Sequence, residues 1–130
     1  MKPDKELIKK VIIIRDAIDL TCSDNSISIK TLSSKFEIDR KTLGNIFREL
    51  FSEKVRERLN RVRVEKAKGL LEENKHKICK VARLTGFASR THFCRVFKDI
   101  EGISPKQYQL RNVTFFHLHR LRYWKRCNLT

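Results

Sequence analysis

From Ser52 to Asn74 the chain has no proline, and its apolar residues fall on two faces of a helix rather than one. At about 100° per residue, Val55, Leu59 and Val62, with the stem of Lys66, share a face in the first half. Val64, Ala67 and Leu71 share a second face in the later half, about 140° round the axis, and Leu70 lies between the two. A helix with one apolar face early and another late must pack against two different bodies. At ~1.5 Å per residue it is ~30 Å long, so it sets a fixed spacing between them. Ser52 is expected as its N-cap, with an acid following in the first turn, and Asn74 as its stop.

The sequence on either side supplies the two bodies, and they share one grammar. A short helix from Ser28 through Ile29, Leu32 and Phe36 leads into a turn at Glu37-Ile38. Asp39 then caps a second helix carrying Leu43, Ile46, Phe47 and Leu50. Fifty residues later a short helix through Cys79 and Ala82 ends at Thr85-Gly86, where glycine is a natural left-handed stop. Phe87-Ala88 makes the turn and Ser89 caps a helix carrying Phe93, Val96, Phe97 and Ile100. The offset of fifty is expected to hold throughout, pairing Leu32 with Ala82, Asp39 with Ser89, Leu43 with Phe93 and Phe47 with Phe97. Two short helices joined by a tight turn, the second one capped, form a helix-turn-helix. The expected fold is therefore all-α, with two helix-turn-helix subdomains joined by a long central helix.

Ahead of them, residues 4–20 read as a helix capped by Asp4, with Leu7, Val11, Ile14 and Ile18 on its buried face and Ile8 and Ile12 widening it. The expected organisation is an N-terminal helix and connection (1–26), a first helix-turn-helix (27–52), the central helix (53–74), a second helix-turn-helix (75–111) and a basic, aromatic C-terminal tail (112–130). The formal charge is +15. Residues 1–26 balance their charges, whereas 76–111 carry +6 and 112–130 carry +4. A net charge this large, graded toward one half, suits a surface facing a polyanion such as nucleic acid.

Gly86-Phe87-x-Ser89-x-x-x-Phe93-x-Arg95-x-Phe97-Lys98-x-x-x-Gly102-x-Ser104-Pro105-x-x-Tyr108 resembles the signature of the AraC/XylS family of bacterial transcription regulators. The likeness extends upstream through Arg63-x-x-x-Ala67-x-x-Leu70-Leu71 and Leu43-x-x-x-Phe47, covering about residues 27–109. Several of these residues have structural duties: Phe87, Phe93 and Phe97 fill a core, and Ser104-Pro105 caps and starts a last short helix. Four positions depart from the family pattern. Gly44 lacks a side chain at a base-facing position, Ser52 stands where the family usually has glycine, Arg58 where it usually has an aromatic, and Gln109 where it usually has arginine.

Once the apolar face of each second helix is buried, its opposite face is determined. It presents Arg40, Lys41, Gly44, Asn45 and Arg48 in the first unit and Arg90, Thr91, Cys94, Arg95 and Lys98 in the second. Arginine pairs with guanine O6 and N7, asparagine with adenine, and the threonine methyl with that of thymine. The resemblance implies base reading at Lys41, Gly44, Asn45, Arg90, Thr91, Cys94 and Arg95. The expected base contacts are Arg40, Lys41, Asn45, Arg90, Thr91, Cys94 and Arg95, and the expected phosphate contacts are Arg48, Lys68, Lys98 and Lys106.

Cys22, Cys79, Cys94 and Cys127 show no metal-binding spacing, and His117-x-His119 with Cys127 is a weak candidate. No metal or other cofactor is expected, and no nucleophile–base pair or phosphate loop points to an enzyme. The run Val11-Ile12-Ile13-Ile14 is too short for a membrane span. The expected function is a sequence-specific transcription regulator, an activator by preference, that binds double-stranded DNA as a monomer in the bacterial cytoplasm at the nucleoid. RNA polymerase is its expected protein partner. The first 26 residues are too few for the sensor domain that many relatives carry, so no small-molecule effector is expected. The competing reading is a sequence-indifferent architectural DNA-binding protein.

Overall fold

The computed structural model describes residues 4–111, and all regular structure there is helical. The elements are α1 (Lys5–Thr21), α2 (Ile29–Lys35), α3 (Arg40–Phe51), α4 (Val55–Glu73), α5 (Ile78–Leu84), α6 (Arg90–Glu101) and α7 (residues 105–111). The expectations for the tail 112–130, the His117/His119/Cys127 candidate included, lie outside the described residues.

The two stripes of α4 enter two separate cores. Val55 and Leu59, with Val62 at the edge, join α1 and α3 in the first, which includes Ile14, Ile18, Leu43 and Phe47. Val64, Ala67 and Leu71, flanked by Leu70, join α5 and α6 in the second, which includes Val81, Phe87, Phe93 and Phe97. Phe47 and Phe97 are fully buried, each contributing about 2–3 kcal/mol from apolar area alone. Lys66, grouped by periodicity with the first stripe, is exposed and reaches out to the Ser23 hydroxyl.

The helix begins later than expected. Ser52 is not the N-cap of α4 but the C-cap of α3, in the left-handed conformation at φ 56°. Lys54 opens α4, and the Glu57 carboxylate accepts its backbone N–H at 3.4 Å. A left-handed C-cap favours glycine, and here a serine adopts it. The other end is as read, with Asn74 left-handed at φ 54°.

The helix-turn-helix repeat is present, with one change of register. Residues 41–50 and 91–100 bury and expose the same positions one for one, at an offset of fifty. The first helices align at forty-nine instead. Leu32 matches Val81, not Ala82; Glu37 at φ 52° matches Gly86 at φ 92°; and the Ile38 N–H to Ser33 C=O bond matches Phe87 N–H to Ala82 C=O. Ala88 is the extra residue in the second turn.

The helix α1 packs into the first core. It buries Val11, Ile14 and Ile18 there, but Ile12 is 38 % exposed and does not widen the stripe. Arg15 lies 4.7 Å above the Phe51 ring, a cation–π contact to the end of α3. Arg58 docks α1 to α4. Its guanidinium donates to both carboxylate oxygens of Asp19, at 3.0 and 2.7 Å, and to Glu53 at 3.1 Å. An aromatic residue at this position could not make that bidentate pair.

Arg63 lies in neither stripe, yet it is buried. Its Nε donates to the carbonyl of Cys22 at 2.7 Å, and its second nitrogen to those of Asp24 and Ile27 at 3.0 and 3.3 Å. The same guanidinium lies 5.8 Å from the Phe87 ring of the second unit. It thereby satisfies the open carbonyls after α1 while touching the far turn. Burial pushes its pKa down from the usual arginine value, opposed by the nearby Asp24 charge. Gly86 closes the seam: a Cβ there would lie 2.5 Å from the Cys22 carbonyl oxygen.

Candidate nucleic-acid interface

The two candidate reading helices are started by side-chain caps. The Asp39 carboxylate accepts the Thr42 N–H at 3.3 Å, and the Ser89 hydroxyl accepts the His92 N–H at 3.1 Å. Apolar residues at i, i+3 and i+4 then hold each helix down: Leu43, Ile46 and Phe47 in α3, and Phe93, Val96 and Phe97 in α6. Burying that face turns the other outward. Arg40, Lys41, Asn45 and Arg48 are exposed on α3, and Arg90, Thr91, Arg95 and Lys98 on α6. The repeat pairs them as Arg40 with Arg90, Lys41 with Thr91, Gly44 with Cys94, Asn45 with Arg95, and Arg48 with Lys98. Neither face carries an acid at these positions.

Beside α3 these residues border a groove. Arg40, Lys41, Gly44, Asn45 and Arg48 line one wall, and Lys54, Val55 and Arg56 of α4 complete it. A Cβ on Gly44 would meet only the Ile29 Cδ1, at 4.0 Å, so the protein itself does not demand glycine there. Lys54 and Arg56 are missing from the sequence-derived contacts. The expected base contacts come from the outward faces of the two second helices and not from the start of α4, where Lys54 is the cap and Arg56 lies in the first turn.

In the second unit His92 is half-buried against Phe87, their rings 5.6 Å apart. Its burial, and then the positive charges of Arg95, Arg56 and Arg63, hold its pKa below the ordinary histidine value. The positive field of α6 therefore joins that of the start of α4.

Three expected contacts differ in setting from the rest. Cys94 is half-buried and packs against the second core, so only part of it faces outward. Lys68 sits 3.4 Å from Glu101, at the opposite end of α6 from Arg90, and 3.5 Å from Glu65. Burial alone would lower its pKa, but Glu101 and Glu65 outweigh that and raise it, so its charge is engaged within the protein. Lys106 is exposed in the first turn of α7, which Ser104 caps by accepting the Gln107 N–H at 3.1 Å. Gln109, the departure in the same helix, donates to the His76 carbonyl at 3.5 Å. Among the described residues no cluster of three or more His, Cys, Asp or Glu side chains could hold a metal ion. No described helix is long and apolar enough to cross a membrane.

This architecture, two capped helix-turn-helix units on one shared helix, is that of a DNA-binding domain. A family model described as a helix-turn-helix domain matches residues 32–111. The chain is 31 % identical over 96 residues to the uncharacterized HTH-type transcriptional regulator YijO of Escherichia coli, covering 74 % of this chain and 34 % of that protein. Among solved structures it is similar to the C-terminal domain of the two-component response regulator yesN from Fusobacterium nucleatum. That match has a TM-score of 0.69 and 30 % identity over 81 % of this chain and 96 % of the other. It is also similar to the DNA-binding domain of the global transcriptional factor AdpA, solved with a target DNA, at a TM-score of 0.67 and 25 % identity over 81 % and 90 % of the two chains. The chain belongs to the AraC-type helix-turn-helix family of transcription regulators, a family of DNA-binding proteins. It spans about a third of the length of the curated relatives it matches.

Proposed function

We propose that this chain binds duplex DNA sequence-specifically to regulate transcription, with α3 and α6 entering two successive major-groove segments on one face of the duplex. The observation that carries this reading is the one-for-one burial pattern of residues 41–50 and 91–100, which turns two equivalent polar faces outward from one helix. Arg40, Lys41, Asn45, Arg90, Thr91, Cys94 and Arg95 are the proposed base readers, with Cys94 contributing only its outer edge. Arg48, Lys98 and Lys106 are the proposed phosphate contacts. Lys68 is left out because its charge is already paired. The chain binds as a monomer, since one molecule carries both readers, and its α4 supplies the ~34 Å between major-groove turns. No effector is needed for this binding.

The test is a pair of substitutions in the intact chain, scored on a selected site and on random duplex. Arg95→Ala should cost ~1–3 kcal/mol on the selected site and relax preference at one base pair. Lys98→Ala should weaken binding to every sequence and flatten the salt slope. Equal losses on both duplexes from both substitutions would favour the architectural reading. As an activator the chain would engage RNA polymerase. Transcription with purified polymerase from a promoter carrying the selected site should then rise when the protein is added.

A further inference from the structure

Arg56 occupies the first turn of α4, between the two reading helices. It borders the groove along the outward face of α3 beside Arg40, Gly44 and Asn45. Its charge also acts on His92 in the first turn of α6. Arg58 and Arg61, which follow it, are tied to Asp19 and Glu53. Arg56 is exposed and has no ion pair among the described residues. A guanidinium with no ion pair among the described residues therefore stands beside the reading face of α3, mounted on the helix that joins the two units, and its charge is felt at the start of α6.

The geometry of B-DNA determines what such a group would face. When two helices enter successive major grooves from one side, the stretch of duplex between them turns its minor groove toward the protein. That groove shows little hydrogen-bond code, but its width varies with sequence. In A·T-rich runs it is narrow and strongly negative, which attracts arginine; in G·C pairs the guanine 2-amino group stands in its floor.

We propose that Arg56 enters this central minor groove and makes the protein select A·T-rich base pairs that neither recognition helix touches. The proposal rests on the two-helix reading above and adds a third point of recognition, one that senses groove shape. Lysine would be a poorer substitute, because its ammonium is more strongly hydrated and gives up water less readily in a narrow groove.

The experiment uses the intact chain and duplexes sharing the same two selected outer segments, with the central base pairs made A·T, G·C or inosine·C. Inosine removes only the guanine 2-amino group and leaves the major-groove edge unchanged. Wild-type protein should bind the A·T and inosine·C duplexes several-fold more tightly than the G·C duplex. Arg56→Ala should bind all three alike, while substitutions in the outer segments still weaken it as they weaken the wild type. Arg56→Lys should recover affinity without recovering the preference. Equal wild-type affinity for the three centres, or a preference that survives in Arg56→Ala, overturns the role of Arg56. If outer-segment substitutions cost the wild type nothing, the two-helix reading fails and this inference with it.

Discussion

Gly86 and Gly102 both adopt positive φ, 92° and 82°, but only one of them is crowded. A Cβ on Gly102 would meet nothing within 4 Å, whereas one on Gly86 would lie 2.5 Å from the Cys22 carbonyl oxygen and 2.9 Å from the Arg63 Nε. Gly102→Ala should therefore cost only the backbone term, about 1 kcal/mol. Gly86→Ala adds displacement of a buried backbone oxygen and should cost about 2–4 kcal/mol, read from urea midpoints of the two variants. Equal costs would show that the seam between the units yields freely. His92 gives a pH-dependent counterpart. Its pKa in the folded chain lies below the ordinary value of 6.5, so the unfolded chain takes up the proton first as the solution is acidified. The stability held by neutral His92 is complete above the ordinary value and is lost as pH falls below it. His92→Gln should make the urea midpoint less sensitive to pH between about 7.5 and 5.5. An unchanged pH dependence would contradict the environment described for His92.

At the level of elements, the buried face of α1 was legible in the sequence, but its polar tie to the central helix was not. The family match begins at residue 32, yet Val11, Ile14 and Ile18 fill the first core, and Arg58 holds the helix with a two-pronged bond to Asp19. Arg58 is about one-fifth exposed, so the pair is screened by solvent and should be worth about 1 kcal/mol. A double-mutant cycle of Arg58→Ala and Asp19→Ala should return a coupling of that size, and a coupling near zero would mean that apolar packing alone docks α1. The central helix and the repeat were legible because periodicity depends on which residues are apolar, and both depend on little else. Val55, Leu59, Val64 and Leu71 identified two faces, and Asp39 and Ser89 identified two caps. The misreadings fall where backbone geometry or a polar side chain decides. A serine in the left-handed region ends a helix that its composition lets it begin, a single alanine at position 88 shifts the register of a turn, and Arg63 is buried by three carbonyls that no spacing rule reveals. The outward faces were legible as residues, but the groove they share with Lys54 and Arg56 depends on where α4 starts and needed the fold.

For the whole molecule, the proposed DNA reading depends on α4 holding two readers at one separation and one mutual orientation. Among the described residues α4 contributes to both cores and the Arg63 seam adds a further link, so on the proposed reading a rigid α4 would make the two segments of DNA a single site. The most direct measurement is the affinity of the intact chain for its selected site after insertions between the two segments. Inserting about 5 base pairs turns one segment to the far side of the duplex, and inserting about 10 restores the side but moves the segment ~34 Å away. With α4 rigid, both insertions should reduce affinity to that of a duplex carrying one segment alone. Affinity that is unchanged by either insertion would contradict a rigid α4 holding two readers.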